Sequence, residues 1–288
     1  MEKRTFQKNQ DLINFRWNIY MNDDFSAQSD TKVMAPAILE IIKLCSSYNI
    51  ECWLNYGALL GMIREKRLLP WNNDAELTFW HREGVSKDLI RLVDELNRRG
   101  YTACYYSNIG AVSVRLKGAV ININAVWIEG DNAVRPHETA HKFGYAPFLA
   151  ILFFWTATLM SAYVGREWHA NSSIKSRLKY FLINSLRLIP RLIRKKIILL
   201  LTKLSAKAGG VFQKTALPKE LYSSLVPCEF YGGNVLVPEK SKELLIYLYG
   251  KGWNIPKENW SFYDKANEAD TGVEFLEESW DYSKMEVV

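Results

Sequence analysis

An α+β fold with a mixed sheet is predicted for this chain of 288 residues, and three observations predict it. Short apolar or alternating runs, the pattern of strands, recur between residues 51 and 126. Amphipathic helical stretches fall among them, in the order helix, strand, carboxylate strand, helix, strands. A long basic and apolar insertion then separates this region from a tail that reads as globular again.

The elements follow in order. Residues 1–30 are polar and read as an N-terminal arm. Residues 31–48 carry Met34, Ile38, Ile41, Ile42 and Cys45 at helical spacing. Glu51–Asn55 reads as a strand. Gly57 and Gly61 bracket Ala58-Leu59-Leu60 at a turn into a short basic helix with Arg64 and Lys66. A Pro-Trp loop leads to a second strand, which carries Asp74 and Glu76 and ends over Leu77–Trp80. Residues 84–99 form a helix through Val85, Leu89, Leu92, Val93 and Leu96, closed by Gly100. Strands are expected near 102–106 and 111–116. A third, Ala119–Val126, alternates Ile with Asn122 and Asn124. In the tail, a strand Asn234–Val237 passes through Pro238 into a helix ending at Tyr249-Gly250.

Composition narrows the class. The apolar fraction of 48% is that of a globular protein. Four scattered cysteines, Cys45, Cys52, Cys104 and Cys228, form no metal-type pair and read as reduced core residues. The opening MEKRTFQKNQDLINF has no apolar stretch, so no cleaved secretory signal is expected. The net charge of +6 is unevenly spread. Eleven basic residues and a single acid, Glu167, lie between Arg166 and Lys207, so the remainder of the chain is net negative.

The insertion, 143–210, opens with 23 uncharged residues, Phe143 to Gly165. That length could span a bilayer. Three readings stay open: a span, a buried core helix, or a helix lying in one leaflet. A single span would separate the Asp74 strand from the tail. A return through 178–204 would carry Arg187, Arg191, Arg194, Lys195 and Lys196 at about 2.5–3.5 kcal/mol each near the helix centre. An interfacial helix on an anionic membrane surface avoids that cost. The expected location is therefore the cytoplasmic face of a membrane, peripheral or monotopic. Nucleic acid is the poorer partner, because the basic residues alternate with aliphatic runs rather than exposed stacking aromatics.

Chemistry centres on residues 51–79. Asp74 and Glu76 are two apart, which puts both carboxylates on one face of a strand. Behind a small-residue turn, such a pair suits a divalent metal holding phosphates. Gly57 and Ala58 would offer backbone N–H groups to those phosphates. Arg64 and Lys66 could neutralise their charge or face solvent.

Three segments resemble the LicD/fukutin family of phosphotransferases: WLNYGALLGMIREKRLLPWNNDAEL at 53–77, ININAVW at 121–127, and the tail YGGNVLVPEKSKELLIYLYGKGWNIP. The resemblance implies a nucleotidyltransferase-type mixed-sheet core, residues 31–142 and 211–288. It implies Mg²⁺ or Mn²⁺ held by Asp74 and Glu76 as catalytic residues. It also implies transfer of a phosphorylated alcohol from a CDP-linked donor to a hydroxyl of a glycan or lipid-linked glycan. Where the family reads Trp-Asp-Asp-Asp-x-Asp, this chain has Trp71-Asn72-Asn73-Asp74-Ala75-Glu76, so two acids are amides. The third carboxylate of the family would fall near Asn122 or Asn124. Amides can ligate a metal but bring no charge and cannot serve as a base. A one-metal site, a metal arriving with the nucleotide, and a non-catalytic glycan- or membrane-binding relative all remain open. The general base is either Glu76 or a group outside the motif.

A rival motif is His137-Glu138-Thr139-Ala140-His141, which fits a zinc protease helix. Pro136 allows such a helix to begin only at His137.

Overall fold

The computed structural model describes residues 31–72, 74–116, 119–137, 147–165, 174–208, 213–257 and 271–276. The expected N-terminal arm, residues 1–30, lies outside them. The first helix, α1 (Thr31–Ser47), turns Met34, Ile38, Ile41 and Cys45 into the core, as their spacing requires. Strand β1 (Trp53–Asn55) is shorter than the sequence predicts and leads directly into α2 (Tyr56–Glu65). Then come β2 (Asp74–Trp80), α3 (Val85–Arg98), β3 (Thr102–Tyr106), β4 (Ala111–Leu116), β5 (Ala119–Glu129) and β6 (Asn132–His137). The insertion holds α4 (Pro147–Ser161), β7 (Ala162–Val164), α5 (Ile174–Leu186) and α6 (Arg191–Lys207). The tail holds β8 (Gln213–Pro218), a 3-10 turn Lys219–Tyr222, β9 (Leu225–Phe230), β10 (Gly233–Pro238), α7 (Ser241–Tyr249) and β11 (Glu274–Leu276).

One mixed sheet joins these strands in the order β11-β8-β6-β5-β2-β1-β10-β9, with β4, β3 and β7 continuing from the other edge of β5. The pairs β2 with β5 and β1 with β10 are parallel, and the rest are antiparallel. Strand β5 is long enough to serve two partner sets. Its first part lies between β2 and β4, and residues Trp127 to Glu129 pair with β6. The tail contributes β10 beside β1, with Trp53 opposite Leu236, so both ends of the chain build one core.

On β2, Ala75, Leu77 and Phe79 are buried, next to Ile121, Ile123 and Ala125 of β5. This apolar face joins the main core with α1 and α3. Asp74, Glu76, Thr78 and Trp80 therefore point to the opposite face.

The 23-residue apolar run does not form one helix. Helix α4 takes 15 residues, about 22 Å at 1.5 Å per residue, against a hydrocarbon core of about 30 Å. Ala162, Tyr163 and Val164 then leave the helix and pair with β3. No helix among the described residues is long and apolar enough to cross a membrane. Phe154, Ala157 and Met160 of α4 are buried, and Phe154 packs with Val134 of β6 and Ala216 of β8. The insertion thus rests partly on the sheet.

Three cysteines are buried, Cys228 is half-buried, and all four are unpaired as thiols. His137 ends a strand, so no zinc-protease helix starts there. Glu138 and His141 lie outside the described residues.

Gly61 permits one close approach that shapes the site. A Cβ there would come 2.5 Å from the carbonyl oxygen of Arg67, because the loop after α2 folds back onto the helix. Gly61→Ala is expected to cost about 1–3 kcal/mol of stability in chemical denaturation, since backbone must move. Gly252→Ala, with nothing within 4 Å of the added methyl, should stay within about 0.5 kcal/mol of wild type.

Candidate active site

The site begins at the β1–α2 turn. Asn55 is buried, and its Oδ1 accepts the Tyr56 N–H at 2.9 Å. Its Nδ2 donates to Thr78 Oγ1 at 3.0 Å and to the Tyr222 hydroxyl at 3.2 Å. One amide thus caps α2, ties it to β2 and fixes the tail against both. Tyr56 follows with φ of 47°, a left-handed conformation that costs a non-glycine residue about 1–3 kcal/mol. The turn presents the α2 N-terminus beside β2.

Gly57 is half-buried and Ala58 is buried at that N-terminus. A Cβ on Gly57 would meet Asn72 Nδ2 at 2.3 Å, so the Asn72 amide lies directly over the turn. Asn73 lies outside the described residues. Trp71, just before, is 55% exposed.

Asp74 and Glu76 share the polar face of β2. Asn55 pairs with Glu76 from one side. Asn122 pairs with Glu76 from the other, and Asn124 pairs with Thr78. The structure therefore brings the two β5 amides to the carboxylate face. Asn124 is buried, and its Nδ2 donates to no group among the described residues.

Arg135, on β6, is the residue that sequence reasoning missed. Its Nη1 donates to Glu76 Oε1 at 3.1 Å, and the two side chains are 17% and 22% exposed. Its guanidinium also lies 5.3 Å from the centroid of the Tyr56 ring, within cation–π range. Burial and, after it, the Glu76 charge push the Asp74 carboxyl up to about 6. Tyr249, at the end of α7, is buried, and its hydroxyl pKa is held well above the ordinary value by burial and then by Glu76, Tyr56 and Asp74. Tyr249 is thus within electrostatic reach of both carboxylates. Only its place in the tail's Tyr-Gly segment could have marked it.

Among the described residues Arg64 and Lys66 form no hydrogen bond or ion pair with Asp74 or Glu76, though the Arg64 charge acts on Tyr249. Arg64 donates to Glu65 Oε1 at 2.7 and 3.2 Å and to the Trp253 carbonyl at 3.4 Å, which links α2 to the C-terminal loop. Lys66 is exposed and caps α2 in a left-handed conformation.

Two carboxylates and an adjacent amide are present, and Arg135 already offsets one charge. Among the described residues no group of three or more His, Cys, Asp or Glu could hold a metal. Such a set does not fit a two-metal cluster held by protein alone. It fits one ion that takes its remaining oxygens from phosphates, the usual arrangement for Mg²⁺.

Residues 49–128 match the LicD/FKTN/FKRP nucleotidyltransferase domain. The LicD-type segment runs from before β1 to near the end of β5, and the family resemblance read from the sequence holds over it. It stops short of Arg135, Tyr222 and Tyr249. An uncharacterized protein of Rickettsia prowazekii (strain Madrid E) is 27% identical over 63 residues, which cover 22% of this chain and 23% of that protein. The match therefore spans about a quarter of that relative. Two solved structures of the antibiotic-resistance factor ANT(2'')-Ia are similar at 12% identity. A solution structure covers 62% of this chain and 93% of its own, with a TM-score of 0.29. A complex with adenylyl-2''-tobramycin covers 59% and 98%, with a TM-score of 0.27.

The raised Asp74 pKa has a consequence for stability. A carboxyl raised on folding favours the folded state fully below its ordinary value of 3.8, and that contribution is lost as pH rises through about 6. In chelator, Asp74→Asn should therefore be more stable than wild type above neutral pH, by on the order of 1–2 kcal/mol. The gain should vanish as pH falls toward 4. Thermal melts across that range check it.

Proposed function

We propose that this chain is a metal-dependent phosphotransferase. It moves a phosphorylated alcohol, such as phosphocholine or ribitol phosphate, from a CDP-linked donor to a hydroxyl of a glycan or lipid-linked glycan. The LicD-type segment supports a transferase. The observation that carries the finer reading is the carboxylate pair of β2, set beside the α2 N-terminus with Arg135 against Glu76.

A donor diphosphate laid across this face meets three features of the chain. The backbone N–H groups of Gly57 and Ala58, at the start of α2 next to Asn55 and its partner Glu76, suit its oxygens, favoured by the helix dipole. The Arg135 guanidinium offers nitrogens beyond the one bonded to Glu76, in the fork that suits phosphate oxygens. Asp74, with Glu76 and Asn122 beside it, would hold Mg²⁺ or Mn²⁺, which neutralises phosphate charge when bound. The acceptor oxygen attacks the phosphorus that bears the alcohol. Its new O–P bond forms as the bond from that phosphorus to the bridging oxygen breaks, and CMP leaves with the electron pair. The acceptor proton passes to solvent or to a base. Glu76, one candidate for that base, is engaged by Arg135, which favours a group outside the motif.

A second reading has its own support. The amides at Asn72 and Asn122 and the internal Glu76–Arg135 pair are what a relative without chemistry would keep for binding a glycan.

Calorimetry with CDP separates the two. The transferase reading predicts CDP binding that strengthens with Mg²⁺. Asp74→Asn should remove that Mg²⁺ effect, and Arg135→Gln should weaken binding about tenfold, the worth of a charge-assisted bond. CDP affinity that is the same with and without Mg²⁺, and untouched by both substitutions, contradicts the site.

A further inference from the structure

The insertion helices expose apolar side chains on a scale the rest of the surface does not. Sixteen large apolar residues are exposed among the described residues, and ten of them lie on α4, α5, α6 and the turn between the last two. Leu188, in that turn, is 85% exposed, and Leu192, at the start of α6, is 78% exposed. Phe148 on α4 reaches 74% and Phe181 on α5 reaches 69%. Scattered exposed leucines need no explanation, but a concentration on neighbouring helices marks a surface that meets something.

Helix α6 shows how the face is built. Arg194, Ile198, Thr202 and Ser205 point inward at helical spacing. Ser205 donates to the Ala150 carbonyl at 2.7 Å, and Ile198 packs with Ala157 and Met160. The outward side then carries Leu192, Ile193 and Leu200 among Lys196, Lys203 and Lys207. Arg191 and Lys195 flank the exposed tip at Leu188 and Leu192. Not one Asp or Glu occurs among the described residues from 147 to 208.

The connections fix how this face can be used. Strands β6 and β8, which flank the insertion, are direct neighbours, with Arg135 opposite Thr215. The chain leaves the sheet and returns beside itself. No described helix can span a bilayer. The insertion can dip into one leaflet and come back, and it cannot place the two halves of the core on opposite sides.

We propose that the α4–α6 face docks on an anionic lipid leaflet, with the Leu188–Leu192 tip inserted and Arg191, Lys195 and Lys196 at the headgroups. Charge decides the occupant: apolar side chains ringed by cations, with no acid among the described residues from 147 to 208, match a negatively charged bilayer surface. The proposal does not depend on the transferase reading.

The test is flotation of the full chain with vesicles of phosphatidylcholine, with and without phosphatidylserine. Binding should need phosphatidylserine and weaken in high salt. Arg191→Gln, Lys195→Gln and Lys196→Gln together should weaken it roughly a hundredfold, at about fivefold per charge. Arg194 is left intact because it is buried. Leu188→Asp with Leu192→Asp should abolish binding while leaving the melting temperature unchanged, because both side chains are already in solvent. A chain that ignores both vesicle types overturns the proposal. So does a concentration-dependent dimer, seen by light scattering, that Leu188→Asp dissolves, because a second copy would then cover the face.

Discussion

Two carboxylates on one face of a half-buried strand repel each other, and the rest of the site is arranged around that fact. Burial and, after it, the Glu76 charge raise the Asp74 pKa. Glu76 is relieved by Arg135, which must be delivered from β6. Removing one partner of a buried pair costs about 3–5 kcal/mol, whereas exposed pairs are worth about 0–1. At 17% and 22% side-chain exposure this pair lies nearer the buried case. Its placement needs β5 to run on past β2 and pair with β6, and it needs Tyr56 to turn its ring under the guanidinium. The length of β5 and the strained turn at the head of α2 both serve the same cation.

That strand also couples the site to the insertion. Arg135 aims into the carboxylate face while its neighbour Val134 packs on Phe154 of α4. Strand β8 holds the other side, with Thr215 opposite Arg135 and Ala216 in the same cluster as Phe154. A single pair of strands therefore supports the Arg135–Glu76 pair on one side and the apolar helices on the other.

The sequence made some parts of this plain and hid others, for physical reasons. Helix α3 was readable because Val85, Leu89, Leu92, Val93 and Leu96 keep strict helical spacing and Gly100 ends it. Strand β2 was readable because its acids alternate with Ala75, Leu77 and Phe79. The 23-residue apolar run was not, because strand and helix share one uninterrupted apolar composition. Only the tertiary pairing of Ala162 to Val164 with β3 divides them. Arg135 was invisible because nothing local in Val134-Arg135-Pro136 signals a partner 59 residues away. Arg64, by contrast, sat next to the motif and turned out to bind Glu65 and the Trp253 carbonyl. Tyr222 and Tyr249 come from the tail, and their place in the site follows from β10 lying beside β1.

The most direct measurement is a double-mutant cycle of stability on Glu76→Gln and Arg135→Gln, run in chelator so that no metal competes. A fixed ion pair at the heart of the site predicts a coupling energy of about 1.5–3 kcal/mol, with the double variant less destabilised than the two single losses sum to. A coupling indistinguishable from zero would mean that Arg135 does not compensate the carboxylates, and the account built on that pair would be wrong.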